Sequence, residues 1–319
     1  MTNFIKFVII VHMKVSEKLN LIQKISKLTQ EQLAKKIGVS FVALNSWINK
    51  NSQPRKKNQD LIDELYRIYT GQKIIEKNVL DAKKNIINAK KRKHKNIIAT
   101  ILKRNDLYQQ FVLSLTYHTN SIEGSTLDEN ETADILFENA TLPRKTLVEH
   151  LEVKNHQAAL QYIFQNIRPN FRISENFILQ LHQIMMNGII SNAGNYRQHG
   201  VRIVGANIPT ANYLKIPELM PQLIKKINQK NVDTISLIAE THSCFEQVHP
   251  FSDGNGRVGR LLVDAMLLRD NLPPAIIKRQ NKRLYYTYLN KSQKSREHSL
   301  LEDFLCDSIL EAYEIIGKS

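Results

Sequence analysis

His249-Pro-Phe-Ser-Asp253-Gly254-Asn255-Gly256-Arg257-Val-Gly-Arg260 gathers an imidazole, a carboxylate, two glycines and two guanidiniums into twelve consecutive residues. Each supplies something that phosphate chemistry needs. Gly254 and Gly256 open backbone conformations closed to other residues and let an anion approach main-chain N–H groups. The apolar spacing of Val258, Leu261, Leu262, Ala265, Met266 and Leu268 predicts a helix beginning here, whose first N–H groups form an anion pocket. Arg257 and Arg260, three apart, share a face of that helix and offer two forks to phosphate oxygens. Asp253 is a hard oxygen ligand suited to Mg²⁺, and His249 is the group able to take a proton from a hydroxyl near neutral pH. Three of these features alone would describe an ordinary turn; six in order point to a nucleotide site.

The segment resembles the signature of the Fic family, HPFx[DE]GNGRxxR, at every fixed position. The resemblance implies a mainly α fold, a helical bundle with a small β-hairpin flap, that transfers AMP from ATP to a protein hydroxyl with Mg²⁺ or Mn²⁺. It implies His249 as general base and Asp253 as metal ligand. Gly254, Asn255 and Gly256 would cradle the phosphates, and Arg257 and Arg260 would hold the triphosphate. Gly194-Asn-Tyr196-Arg197 and Val201-Arg202-Ile203-Val204-Gly205-Ala-Asn-Ile-Pro209 read as two short strands and look like the family's flap, which adds a target segment as an extra strand. Leu272-Pro-Pro274, Asn281 and Arg283-Leu-Tyr285-Tyr286 also resemble the family. There the aromatic pair lies near the nucleotide base, although Tyr285 and Tyr286 read equally well as core.

Upstream, Thr119-Asn-Ser-Ile-Glu123-Gly124 resembles the family's inhibitory motif, [ST]xxxE[GN]. Its carboxylate is expected on a helix at about residues 115–125, paired with the Arg260 fork that would otherwise hold the γ-phosphate. In some relatives this glutamate helps water remove AMP, a second role that residue identity alone does not separate from restraint.

The chain of 319 residues carries a formal charge of +15, and the balance is uneven. Residues 1–100 hold 21 Lys and Arg against 7 Asp and Glu, a net +14, which leaves +1 for the remainder. A positive excess confined to one segment suggests an anionic partner there, most often nucleic acid. Cys244 and Cys306 show no CxxC spacing, so neither a disulfide framework nor a zinc cluster is indicated. The apolar run Phe7-Val-Ile-Ile-Val11 is far shorter than the roughly 20 residues a membrane span requires, and no small-residue cleavage site follows. A cytoplasmic protein is expected. Two readings of that run stand: a short strand or docking segment, or a start of translation at Met13. Gly317-Lys-Ser319 mimics the end of a phosphate-binding loop, but Ala312 occupies the position where its first glycine belongs.

Residues 29–48 have the grammar of a helix-turn-helix. Thr29 with Gln32 forms a capping box, Gly38 permits the tight turn, and Ser40 caps a second helix. Ala34 allows close crossing, and Leu33, Ile37, Leu44 and Ile48 fall on the buried faces. The stretch resembles λ-repressor-like regulators, whose second helix enters the major groove. It departs from them in offering Phe41, Val42 and Ala43 where base contacts favour Arg, Gln or Asn. Asn45 has suitable chemistry, and Lys50, Arg55, Lys56 and Lys57 could grip phosphates. The alternative is a small domain serving a protein partner. The expected organisation is an N-terminal segment over 1–24, the helix-turn-helix over 25–58, a basic helical linker over 59–100 and the catalytic region over 101–319. In the linker the run Lys90-Lys-Arg-Lys-His-Lys95 reads as a solvated face, with Ile86, Ile87 and Ile97 on the apolar side.

Three functions compete. The first is a protein adenylyltransferase acting on Ser, Thr or Tyr, the chain itself included. The second is a phosphotransferase or other nucleotidyl transferase using the same loop. The third is a DNA-binding regulator with a silent catalytic body. Oligomeric state, a homo-oligomer included, stays open.

Overall fold

The computed structural model describes residues 13–50, 52–202 and 208–318, and the chain divides after Ile74 into two units. Among the described residues it is helical throughout and forms no strand.

The first unit consists of α1 (Val15–Ser26), α2 (Gln30–Ile37), α3 (Phe41–Asn49) and α4 (Lys56–Thr70). Its turns are fixed by local chemistry. Thr29 Oγ1 accepts from Gln32 N at 3.2 Å while Gln32 returns the bond at 3.0 Å. Gly38 ends α2 at φ +78°, and Ser40 Oγ accepts from Ala43 N at 3.2 Å to start α3. Leu33, Ala34, Ile37 and Leu44 are buried as expected, whereas Ile48 is only half-buried and Trp47 fills the core beside Leu44. Two helices cannot close such a core alone. Leu19 and Ile22 of α1 and Ile62 and Leu65 of α4 complete it, and Lys18 ties α1 to Asp63 of α4 at 2.7 Å. The boundaries drawn at residues 24 and 58 are therefore corrected: helices on both sides belong to this unit, because the α2–α3 pair needs their apolar faces. The segment before Met13 lies outside the described residues.

The second unit begins at Ile75 and contains α5 (Lys77–Lys91), α6 (Ile97–Leu102), α7 (Asn105–Glu123), α8 (Glu129–Phe137), α9 (Leu147–Asn166) and α10 (Glu175–Met185). It continues with α11 (Ile216–Ile227), α12 (Thr234–Val248), α13 (Asn255–Arg269), α14 (Lys282–Ser295) and α15 (Ser299–Lys318). At its centre α13 is buried on every side: Val258, Leu261, Leu262, Ala265, Met266 and Leu268 are in the core, as their spacing predicts. It packs on α12, α10, α7 and α9. The residues joining α12 to α13 are the signature loop.

The basic stretch 59–100 is not a linker but falls in both units. Its charge on α5 also has a different partner from the one expected. Lys84 Nζ reaches Glu302 at 2.5 Å, Asp233 at 2.7 Å and Ser236 Oγ at 2.8 Å, tying α5 to α15 and α12. Lys83 pairs with Asp303 and Asp307, both at 2.6 Å, and Lys91 with Asp270 at 2.8 Å. These lysines are matched by acids within the second unit and are not a free polyanion-binding face. Ile87 and Ile97 are buried, but Ile86 is exposed. Lys84→Met should lower stability by about 2–4 kcal/mol, because Glu302 would keep its charge in a largely buried place. Thermal melting of the variant checks this, and an unchanged midpoint would show the network to be ornamental.

Candidate active site

His249 caps the C-terminus of α12 in the left-handed region at φ +50°, its N–H donating to Phe245 O at 2.9 Å. That conformation is costly for a residue with a side chain, roughly 1–3 kcal/mol, and needs outside support. Arg197 provides it. The side chain is 2% exposed and its guanidinium donates to carbonyls of His249 at 2.7 Å, His199 at 2.6 Å, Ala211 at 2.6 Å and Val248 at 3.3 Å. Arg197 N also donates to Pro250 O at 2.9 Å. The imidazole lies with Nδ1 at 3.3 Å from Glu246 O, a contact that assigns its proton to Nδ1 and leaves Nε2 as a base. Burial, chiefly, holds its pKa below 6.5, so it is neutral near pH 7.

The rest of the loop is held as firmly. Both ends of the Asn255 amide bond to Phe251, Oδ1 from its N–H and Nδ2 to its C=O, each at 2.8 Å. The Asn255 side chain thus holds the loop and does not reach outward as a phosphate ligand. Gly254, at φ +78°, has Met186 Sδ 2.6 Å from where a Cβ would stand, so no other residue fits. His182 stacks on Phe251 with ring centroids 3.7 Å apart, accepts from Gly194 N at 2.9 Å and bonds Asp253 O at 3.1 Å. Those two contacts require the neutral ring, and burial lowers its pKa to about 4.

Arg260 is the electrostatic centre. Its Nε donates to Thr119 Oγ1 at 2.6 Å and its Nη2 to Glu123 Oε1 at 2.5 Å, two acceptors one turn apart on α7. Gly124 ends α7 directly after them at φ +115°. The Glu123 carboxylate also lies against Gly256, closer than any Cβ there would allow, and so occupies the first turn of α13 where an anion is most favoured. Burial alone would raise Glu123, but Arg260 outweighs it and the carboxyl stays below its ordinary value. Arg257 is paired separately: Nη1 with Glu152 of α9, and Nη2 at 3.6 Å from Asp253.

The other ionisable groups nearby are silent. Burial lowers His156 and His242 to about 3 and raises Glu246 and Asp264 to about 8, which leaves all four uncharged at neutral pH. Tyr285 differs from the expectation of a base-contacting residue. It is 0% exposed and its hydroxyl bonds His242 Nε2 at 2.6 Å, within the core beneath Arg260. Tyr286 is half-buried beside it, with ring centroids 5.1 Å apart.

Of the flap residues, Ile203, Val204 and Gly205 lie outside the described residues. Arg202 is exposed and in no strand, and Thr210 Oγ1 donates to Val201 O at 2.8 Å where the two arms meet. Arg197, His182 and Glu152 carry more of the site than their isolated positions in the sequence suggested. A divalent cation fits this donor set in one way. Asp253 is exposed, with one oxygen accepting from Gly254 N at 2.6 Å, and among the described residues no cluster of three acids, histidines or cysteines forms a closed cage. Such a carboxylate suits Mg²⁺ shared with a nucleotide's own phosphates.

The site thus joins a loop-held imidazole to a helix start whose anion position the Glu123 carboxylate occupies. Residues 172–267 match the family model described as Fic/DOC family, and residues 24–69 the one described as Helix-turn-helix. The chain thus carries a Fic/DOC domain and, ahead of it, a helix-turn-helix domain. The protein adenylyltransferase Fic of Nematostella vectensis is 32% identical over 185 residues, covering 55% of this chain and 42% of that protein. That of Drosophila erecta is 29% identical over 214 residues, covering 66% and 41%. The chain therefore spans about two-fifths of the length of these curated relatives. In fold it is similar to a Fic-domain-containing signalling protein of Bacteroides thetaiotaomicron, with TM-score 0.63 at 24% identity, covering 74% of this chain and 98% of that one. A fragment of C. elegans Fic-1 gives TM-score 0.65 at 20% identity, covering 96% and 88%. No helix among the described residues is long and apolar enough to cross a membrane.

Because the folded Glu123 pKa is depressed, the ionised carboxylate adds stability above its ordinary value of 4.5 and loses it as pH falls below. Glu123→Gln should accordingly lose less stability than the wild type between about pH 5 and pH 3. Denaturant midpoints across that range test it; parallel decline of both proteins would mean that the pair is not linked to folding.

Proposed function

We propose that the chain is a protein adenylyltransferase held at rest by Glu123. What carries this reading is the bond from Arg260 to Glu123, whose carboxylate lies on Gly256 where the signature would seat a triphosphate. Released from Glu123, Arg260 and Arg257 bind phosphate oxygens, and the first turn of α13 receives the charge between them. His249 Nε2 takes the proton of a Ser, Thr or Tyr hydroxyl. The hydroxyl oxygen attacks the α-phosphorus, the bond from that phosphorus to the bridging oxygen breaks, and pyrophosphate leaves. Asp253 would hold the Mg²⁺ or Mn²⁺ that neutralises charge on the phosphates. His182 and Arg197 position the loop without touching substrate.

The test incubates wild type, Glu123→Gly and His249→Ala with ATP labelled on the α- or γ-phosphate. Transfer of α-label to protein should rise at least tenfold in Glu123→Gly and vanish in His249→Ala. Transfer of γ-label would replace this reading with the phosphotransferase one. Within Glu123→Gly, the acid limb of the rate profile should fall below pH 6.5, since His249 must be neutral and its pKa is depressed.

A second reading concerns the first unit. We propose that it binds duplex DNA. Residues 32–59 hold six Lys and Arg and no Asp or Glu, across the turn and the second helix of a capped helix-turn-helix. Asn45 and Lys50 sit on or at the end of α3, and Lys56 opens α4, where it forms an exposed and hence weak pair with Asp60 at 2.9 Å.

A further inference from the structure

We propose that α3 reads the 5-methyl groups of thymine in A·T-rich duplex DNA, an inference that rests on the DNA-binding reading of the first unit. Phe41 and Val42 at the start of α3 are 47% and 75% exposed, whereas Leu44 and Trp47 of the same helix are buried and Ile48 is half-buried. At ~100° per residue, Phe41, Asn45, Asn49 and Val42 fall within an arc of roughly 100°, well away from the buried side. Asn49 Nδ2 donates to Asn45 Oδ1 at 2.5 Å, so two amides stand in line beside the two apolar groups. From Phe41 to Asn49 there is no charged residue at all.

That combination selects a base pair. Guanine is read best by Arg or Lys on O6 and N7, and the face carries neither. Adenine is read by an Asn amide on N6 and N7, and thymine offers the methyl group, the one apolar group that the unmodified major groove presents. Phe41 and Val42 supply apolar surface for the methyl, and Asn45 supplies the amide for adenine. The phosphate grip comes from elsewhere: Lys35 and Lys36 at the end of α2, Lys50 after α3, and Arg55, Lys56 and Lys57 at the start of α4, all exposed. A protein partner or a second copy could also cover Phe41 and Val42, but the acid-free run of residues 32–59 around them complements a polyanion.

The full chain is titrated by fluorescence anisotropy at low salt against four duplexes of one length. These are an A·T-rich duplex, the same duplex with deoxyuridine for thymidine, a G·C duplex, and that G·C duplex with 5-methylcytosine. Deoxyuridine keeps every base-pair hydrogen bond and removes only the methyl. The expected result is weaker binding by about fourfold per lost methyl contact, with 5-methylcytosine recovering part of the affinity that plain G·C lacks. Phe41→Ala and Val42→Ser, both at exposed positions, should abolish the thymine–uracil difference while binding persists. Lys57→Gln should weaken the thymine and uracil duplexes alike and flatten the salt dependence. Salt-dependent binding that is equal for thymine and uracil would overturn the methyl reading and leave DNA binding standing. If no duplex binds, both readings fall; if Phe41→Ala instead changes the mass measured by light scattering, the methyl reading falls and the face belongs to a protein contact.

Discussion

The signature site of the second unit is organised around the buried Arg260 and the anion it holds. Arg260 is almost wholly enclosed, its side chain 7% exposed, and an enclosed guanidinium without an anion would cost several kcal/mol. The groups around it do not share the duty. His156 and His242 are held neutral, and Glu246 and Asp264 are held protonated, because burial penalises the charged form of each. Glu123 supplies the hydrogen-bonded negative charge opposite Arg260, and Thr119 accepts from its Nε. On the proposed reading the interaction is a two-state element: the cation demands an anion, and either the carboxylate on α7 or a nucleotide phosphate would satisfy it. Removing the carboxylate leaves the demand unmet, so the free energy that now favours rest would favour ligand.

Legibility followed the range of the interactions. The signature loop was readable because its parts adjoin one another: a left-handed glycine, a helix start and two arginines three apart all act within one turn or two. The helix-turn-helix was readable for the same reason, through Thr29, Gln32, Gly38 and Ser40, each of which satisfies a backbone group within five residues. Glu123 stands 137 residues from its partner and was found through a motif, since no local pattern joins them. Arg197, His182 and Glu152 reach the loop across 52, 71 and 105 residues, and a lone Arg, His or Glu in a sequence carries no mark of such a contact. Tyr285 stayed open between a nucleotide neighbour and a core residue, because an aromatic near a site and an aromatic beneath it look alike until burial is known.

Charge was misleading in a more instructive way. A basic excess over the first hundred residues suggested one anionic partner, yet it divides into two populations with different fates. Lys83, Lys84 and Lys91 of α5 meet Glu302, Asp303 and Asp307 of α15, Asp233 at the N-cap of α12 and Asp270 in the turn after α13. Their positive charge is the docking chemistry of α5, and the near-neutral balance of the later residues conceals the matching negative patch. Those of residues 32–59 have few acids near them in sequence, and most stay exposed. Net charge counts both alike; only the tertiary partners separate a structural cation from one free to meet another molecule.

In the proposed function the base and the switch are mechanically separate. His249 is fixed through its backbone: its N–H bonds Phe245, its C=O accepts from Arg197, and its ring rests on Glu246 O. None of these bonds involves Glu123, Arg260 or α7. Breaking the Glu123–Arg260 pair therefore changes what the phosphate seat can hold without having to rebuild the base, whose left-handed conformation is maintained by the four carbonyls gathered on Arg197. On the proposed reading, inhibition would act on the orientation of the nucleotide and leave proton abstraction preorganised. Since the strain at His249 is sustained by the fold, activation on that reading would require the exchange of one anion for another on Arg260.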